Sequence, residues 1–192
     1  MKEYKSNALN RSSKKRKVAI VLGFYDGYKF IKRQLKSIFE QTHQNFIIFV
    51  TDDNSKDKFS LEKLNINERN KNKIKVGLRN KNIGYAQNFL NALVSIDGYF
   101  DYYAFSDQDD IWHREKLEKA INSLEGYPDN QANLYGSRTE LIGESEQIKL
   151  GKVNSQEIFI APRLRRLPQE RLAERFPVLA EVQGRLWGKR IS

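Results

Sequence analysis

The chain contains no cysteine. Disulfides and cysteine metal sites are therefore excluded, and a cytoplasmic setting is expected. No run approaches about 18 apolar residues, so no membrane-spanning helix is expected. The basic start lacks the uncharged apolar stretch and small-residue cleavage site of a secretory leader. The two histidines, His43 and His113, lack a second histidine at metal-ligand spacing and read as exposed helix-end residues. Proline is scarce, and Pro162, Pro168 and Pro177 crowd near the end, leaving only Pro128 elsewhere. No internal repeat occurs. The 192 residues suffice for one domain with a real core.

The charge sits at the ends. The formal balance is +10, with Lys2, Lys5, Arg11, Lys14, Lys15, Arg16 and Lys17 at the start, and Lys189 and a set of arginines after Ala161. The centre between them is close to neutral. A nucleic-acid-binding domain carries its positive charge on a folded face, so that class ranks last and no nucleic-acid partner is expected. The run Lys14-Lys15-Arg16-Lys17 has three readings. One is a solvated, disordered tail. Another is a nuclear-import-like or nucleic-acid arm. The third is contact with an anionic membrane surface at about 1 kcal/mol per basic residue, which would make the protein peripheral at the inner face of the plasma membrane.

Apolar runs at Val18–Leu22, Phe46–Val50, Ile74–Leu78, Tyr102–Phe105 and Leu134–Ser137 read as strands. Helical spacing marks Tyr28–Gln41, Tyr85–Ile96 and Arg114–Leu124, with a short helix over Ser60–Leu64. Residues Asn65–Lys73 read as a solvated loop. The alternation predicts an α/β domain, a mostly parallel sheet with helices on both faces. Composition breaks near residue 160: every asparagine precedes it, and arginine replaces lysine after it. The segments Gln169–Phe176 and Val178–Leu186 read as short amphipathic helices. The break suggests a junction such as a frameshift or recombination, which one uniform, intact frame around codons 145–165 would contradict.

Three polar loops follow apolar strands: Phe24-Tyr25-Asp26-Gly27-Tyr28, Thr51-Asp52-Asp53-Asn54-Ser55, and Ser106-Asp107-Gln108-Asp109-Asp110-Ile111-Trp112. In a parallel sheet they share one edge, where ligands bind. Three carboxylates within four residues repel one another unless a cation sits among them. Hard divalent cations take such oxygens and bridge them to phosphates. The bland alternative is a solvated acidic turn ahead of the next helix. An aromatic with two carboxylate loops suits a nucleotide: Tyr25 stacks on the base, one aspartate accepts from base or ribose, and the last cluster holds the cation. Against these stand packing roles for Tyr25 and Trp112, a backbone-bonding role for Asp52, a turn role for Gly84 and a capping or packing role for Asn88.

On these residues the chain resembles the family 2 glycosyltransferases of GT-A fold, in their bacterial rhamnosyltransferase-like branch. The similarity covers about residues 17–142. Val18 to Gly27 looks like the opening strand and its Tyr-Asn-Gly turn, with Asp26 at the Asn position. Gln34-Leu35-Lys36-Ser37-Ile38-Phe39-Glu40-Gln41-Thr42 resembles the first-helix signature. Asp52-Asp53-Asn54-Ser55 resembles the acid pair usually followed by Gly-Ser. Asn80 to Phe89 resembles the loop and helix that line the donor site. Asp107-Gln108-Asp109-Asp110-Ile111-Trp112 resembles the Asp-X-Asp metal motif. The resemblance implies a metal-dependent, inverting glycosyltransferase using Mg²⁺ or Mn²⁺ and a dTDP- or UDP-sugar. Its acceptor would be a glycan or lipid-linked molecule of a bacterial surface polysaccharide of O-antigen or capsule type. It implies Tyr25, Asp26, Asp53, Gly84, Asn88 and Asp107 at the nucleotide sugar, and Asp107 and Asp109 at the metal, with Asp110 as helper or helix cap.

The expected organisation is a basic tail over 1–16, a GT-A nucleotide-sugar-binding domain over 17–150, and an Arg/Pro-rich, partly helical tail over 151–192. The family's acceptor half carries the catalytic base in a His-Asp-Trp-like motif. None occurs after Leu141, so no base is assigned and a truncated or inactive transferase is expected, with an exposed apolar sheet edge. The alternative is a nucleotide-sugar-binding module without turnover. A phosphoacceptor receiver domain would use Asp52-Asp53 but leaves Asp107 to Asp110 without purpose.

Overall fold

The computed structural model describes residues 16–125, 127, 133–142 and 149–161. The expected N-terminal tail up to residue 15 and the helices expected over Gln169–Phe176 and Val178–Leu186 lie outside the described residues. Six strands form one sheet: β1 (Val18–Phe24), β2 (Phe46–Asp52), β3 (Ile74–Leu78), β4 (Tyr102–Ser106), β5 (Asn133–Ile142) and β6 (Lys149–Ala161). Among the described residues four α-helices join them: α1 (Tyr28–Phe39), α2 (Glu68–Lys71), α3 (Tyr85–Ser95) and α4 (Lys116–Leu124). The strand order is β3-β2-β1-β4-β6-β5. The first four strands are parallel, while β6 runs antiparallel to both β4 and β5.

β1 is central and buried on both faces, which is why Val18 to Leu22 is an unbroken apolar run. On one face Ile31, Leu35 and Ile38 of α1 and Leu117, Ala120, Ile121 and Leu124 of α4 pack on Ile20, Leu22, Ile48 and Ala104. On the other, Phe89, Ala92 and Leu93 of α3 meet Val21, Ala19 and Tyr103. Each fully buried Leu or Ile contributes about 1.5–3 kcal/mol. α1 and α3 take opposite faces because the β1–β2 and β3–β4 connections run in opposite directions across the sheet and parallel crossovers keep one hand.

Several expectations shift. Ser60–Leu64 forms only a 3₁₀ turn, Leu61–Lys63, with the Ser60 hydroxyl accepting from the Glu62 amide. The supposed loop 65–73 contains α2, whose Asn67 side chain accepts from Asn70 N–H at 2.9 Å. The fifth strand is longer than Leu134–Ser137 and belongs to a hairpin with β6, which the sequence pattern did not reveal. β6 passes through the expected boundary at 150 and covers β4, so β5 rather than β4 forms that edge of the sheet.

His43 is not an exposed helix-end residue. It is buried, and its ring pairs with the Arg16 carbonyl at 2.9 Å. Burial holds its pKa below the usual histidine value, against the raising effect of backbone hydrogen bonds at Arg16 and Asn45. Arg16 itself pairs with Glu125 at 3.2 Å and Asp101 at 3.4 Å, and Lys17 N–H donates to Asp101. Two of the four residues in the basic run are thus engaged at the amino ends of the strands.

Candidate functional site

The strand order reverses direction between β1 and β4, the place where open α/β sheets form a ligand crevice at their carboxyl ends. Phe24 pairs with Asp52, and Asp52 with Leu78, so β1, β2 and β3 end level. β4 ends earlier, with Ser106 beside Leu22. The loop after β4 therefore runs alongside the end of β1. There Gln108 meets Tyr25: Tyr25 N–H donates to Oε1 at 2.8 Å and Nε2 donates to the Tyr25 carbonyl at 3.0 Å. The Tyr25 side chain remains exposed at the crevice. Asp26 takes φ 47°, the left-handed conformation that Asn and Asp tolerate, which explains why either serves here. Its carboxylate accepts from Lys56 N–H and its own N–H donates to Ser55 Oγ, joining the first loop to the second.

The acid pair after β2 divides its work. Asp52 is wholly buried and accepts from Ser55 and Phe59 N–H, both at 2.8 Å, as a backbone-bonding residue should. Asp53 is 3% exposed and accepts from Ile83 N–H at 2.9 Å and Gly84 N–H at 2.8 Å. Asn54 takes φ 65°, the conformation for which a glycine is the usual choice. Gly84 caps α3 at φ 82°, ψ 150°. Asn88 is 2% exposed, with its amide engaged inside the protein: Nδ2 donates to the Thr51 carbonyl, and Oδ1 accepts from Thr51 Oγ1 and Arg79 Nε. Asp53, Gly84 and Asn88 thus shape the β2–α3 wall through the backbone.

The acidic loop also divides. Asp107 is half-buried and Asp109 exposed. Asp110 is half-buried, and burial and the neighbouring Asp109 raise its pKa while Lys116 and the Asp107 N–H act the other way. Burial pushes the Lys116 ammonium down to about 8 despite Asp110, and it sits 5.0 Å from the Trp112 ring centre. Burial thus outweighs attraction for both partners. Trp112 is itself buried in the core, a packing anchor. Among the described residues no three His, Asp or Glu side chains gather as a protein metal cage. Two carboxylates on one loop instead match a cation shared with substrate phosphates, as Mg²⁺ is commonly held.

Polar residues on the buried side of α1 fix this loop, and the sequence pattern gave them no such role. Gln34 is wholly buried. In the amide orientation that satisfies its neighbours it accepts from Trp112 Nε1 at 3.2 Å and donates to Ser37 Oγ at 2.9 Å. Ser37 Oγ accepts from Trp112 N–H at 3.0 Å. Gln41, just past the helix, donates to the His113 carbonyl at 2.8 Å and accepts from Leu117 N–H at 3.0 Å. The signal was present as polar residues at i, i+3 and i+7 on an otherwise apolar helix face.

Residues 19–177 match the family model for glycosyl transferase family 2. A dTDP-rhamnosyl transferase, RfbG of Shigella flexneri, is 38% identical over 119 residues, 59% of this chain and 39% of that protein. The amylovoran biosynthesis glycosyltransferase AmsB of Erwinia amylovora is 29% identical over 136 residues, 69% of this chain and 44% of that protein. The crystal structure of S. aureus TarS residues 1–349 superposes with a TM-score of 0.50 at 25% identity, covering 62% of this chain and 34% of that one. The chain spans less than half the length of these curated relatives.

Proposed function

The chain belongs to glycosyl transferase family 2, and from that premise we propose that its switch-point crevice binds a nucleotide-sugar donor for transfer to a bacterial surface glycan. The observation that carries this reading is the clasp of Gln108 on Tyr25, which ties the backbone of an exposed aromatic residue to the loop that carries Asp107 and Asp109 at the β1/β4 switch point. Tyr25 offers a face for the base. Asp53 holds the 83–84 amides that border the nucleoside end, and Arg79, bonded to Asn88, lies at the end of β3.

Asp107 and Asp109 are the residues that would hold Mg²⁺ or Mn²⁺, which when bound would neutralise charge developing on the departing nucleoside diphosphate. In the transfer an acceptor hydroxyl oxygen bonds to the anomeric carbon as the bond to the phosphate oxygen breaks, with inversion. The hydroxyl proton passes to a base that is not assigned to any residue of this chain. Without that base the same site serves a binding module, and turnover separates the two.

The 38% identity to a protein named as a dTDP-rhamnosyl transferase favours dTDP-rhamnose as donor. Saturation-transfer NMR with dTDP-rhamnose, UDP-GlcNAc and GDP-mannose tests this. Transfer to the thymidine and rhamnose protons alone is expected. Equal or greater transfer to either other sugar nucleotide would contradict the donor assignment.

A further inference from the structure

Gln108 stands between two carboxylates and offers a ligand no charge of its own. Its side-chain amide instead closes a ring with the backbone of Tyr25, pairing both the N–H and the C=O of that residue at 2.8 and 3.0 Å. A neighbouring strand residue would make the same pair of bonds. Tyr25 is 47% exposed, so core packing does little to fix it.

Gly27 provides an independent mark of the same contact. A Cβ at Gly27 would overlap Oε1 and Cδ of Gln108, and the three nearest atoms all belong to that amide. Gly27 has φ −103°, a value open to residues with side chains. Backbone strain therefore does not demand glycine here. The Gln108 amide does.

We propose that Gln108 is a positioning residue, which with Gly27 forms a clasp that sets Tyr25 in register with the Asp107 and Asp109 carboxylates before a nucleotide arrives. The proposal rests on the reading of these loops as a nucleotide-sugar site. Two hydrogen bonds that order an exposed loop in advance remove an ordering cost from binding.

Four versions of the full chain test it: the wild type, Gln108→Ala, Gly27→Ala and the double variant. Each is measured by amide hydrogen exchange at Tyr25 and by titration with UDP and dTDP. Gln108→Ala is expected to speed exchange at Tyr25 and to weaken nucleotide binding about tenfold. Gly27→Ala is expected to do the same by evicting the amide. In the double variant the methyl added at position 27 meets no amide, so adding Gly27→Ala to Gln108→Ala has no further effect.

Unchanged Tyr25 exchange in Gln108→Ala would overturn the clasp, as would full additivity of the two substitutions. Undiminished nucleotide affinity in Gln108→Ala, beside a wild type that binds, would overturn the positioning role alone. A folded wild type that binds neither nucleotide would overturn the donor-site reading and this role with it.

Discussion

Gly84 and His43 show how single residues carry this structure. Gly84 combines φ 82° with ψ 150°, a region essentially reserved for glycine. Asp53 holds its N–H and that of Ile83, so the strained turn is anchored from β2. Gly84→Ala is expected to cost about 1–3 kcal/mol, although its Cβ would meet no neighbour. Urea denaturation reads this, and an unchanged midpoint would contradict a conformational role. His43 adds a pH dependence. Its folded pKa is lowered from 6.5, chiefly by burial, so on acidification the unfolded chain takes up a proton that the folded chain resists. The His43 contribution to stability therefore falls as pH drops through about 6.5 and is restored above it. Thermal midpoints of the wild type between about pH 5 and 7.5 are expected to fall more steeply on acidification than those of His43→Asn. Parallel slopes would contradict the assignment.

Among the elements, α1 does two jobs with one face. Ile31, Leu35 and Ile38 pack on the sheet, while Gln34, Ser37 and the adjoining Gln41 grip the loop between β4 and α4. Gln41→Leu is close in size but removes the partner of the buried Leu117 N–H, while the His113 carbonyl keeps its bond from Lys116 N–H. A buried orphan costs about 1–3 kcal/mol, and a lower urea midpoint with a native-like spectrum is expected. A midpoint equal to wild type would show that the loop holds itself.

The strands β1 to β4 and helices α1, α3 and α4 were legible because their apolar spacing matches the faces they bury. The buried glutamines were not, since a polar residue on an inner face reads as a break in the stripe until its partners are known. α2 was hidden because its four residues, Glu68-Arg69-Asn70-Lys71, contain nothing apolar. β6 was hidden because its place depends on pairing with β4 and β5, and it runs across the expected domain boundary at 150. His43 was misread because it is buried with its ring on the Arg16 carbonyl, a partner distant in the sequence.

At the scale of the whole molecule, topology does most of the functional work. Four parallel strands deliver three polar loops to one edge, and the reversal of strand order opens the crevice between two of them. The sequence located these loops, whereas the division of labour inside them required the fold. Asp52 and Asp53 turn to backbone amides, Asp110 turns toward Lys116, and Asp109 stays exposed. The central claim is that this edge binds a nucleoside diphosphate with a divalent cation at Asp107 and Asp109. Calorimetric titration of the full chain with dTDP and UDP, with and without Mn²⁺, tests it most directly. Metal-dependent binding that is lost in Asp109→Ala is the predicted result. A folded sample that binds neither nucleotide, or binds equally well without Mn²⁺ and without Asp109, would contradict it.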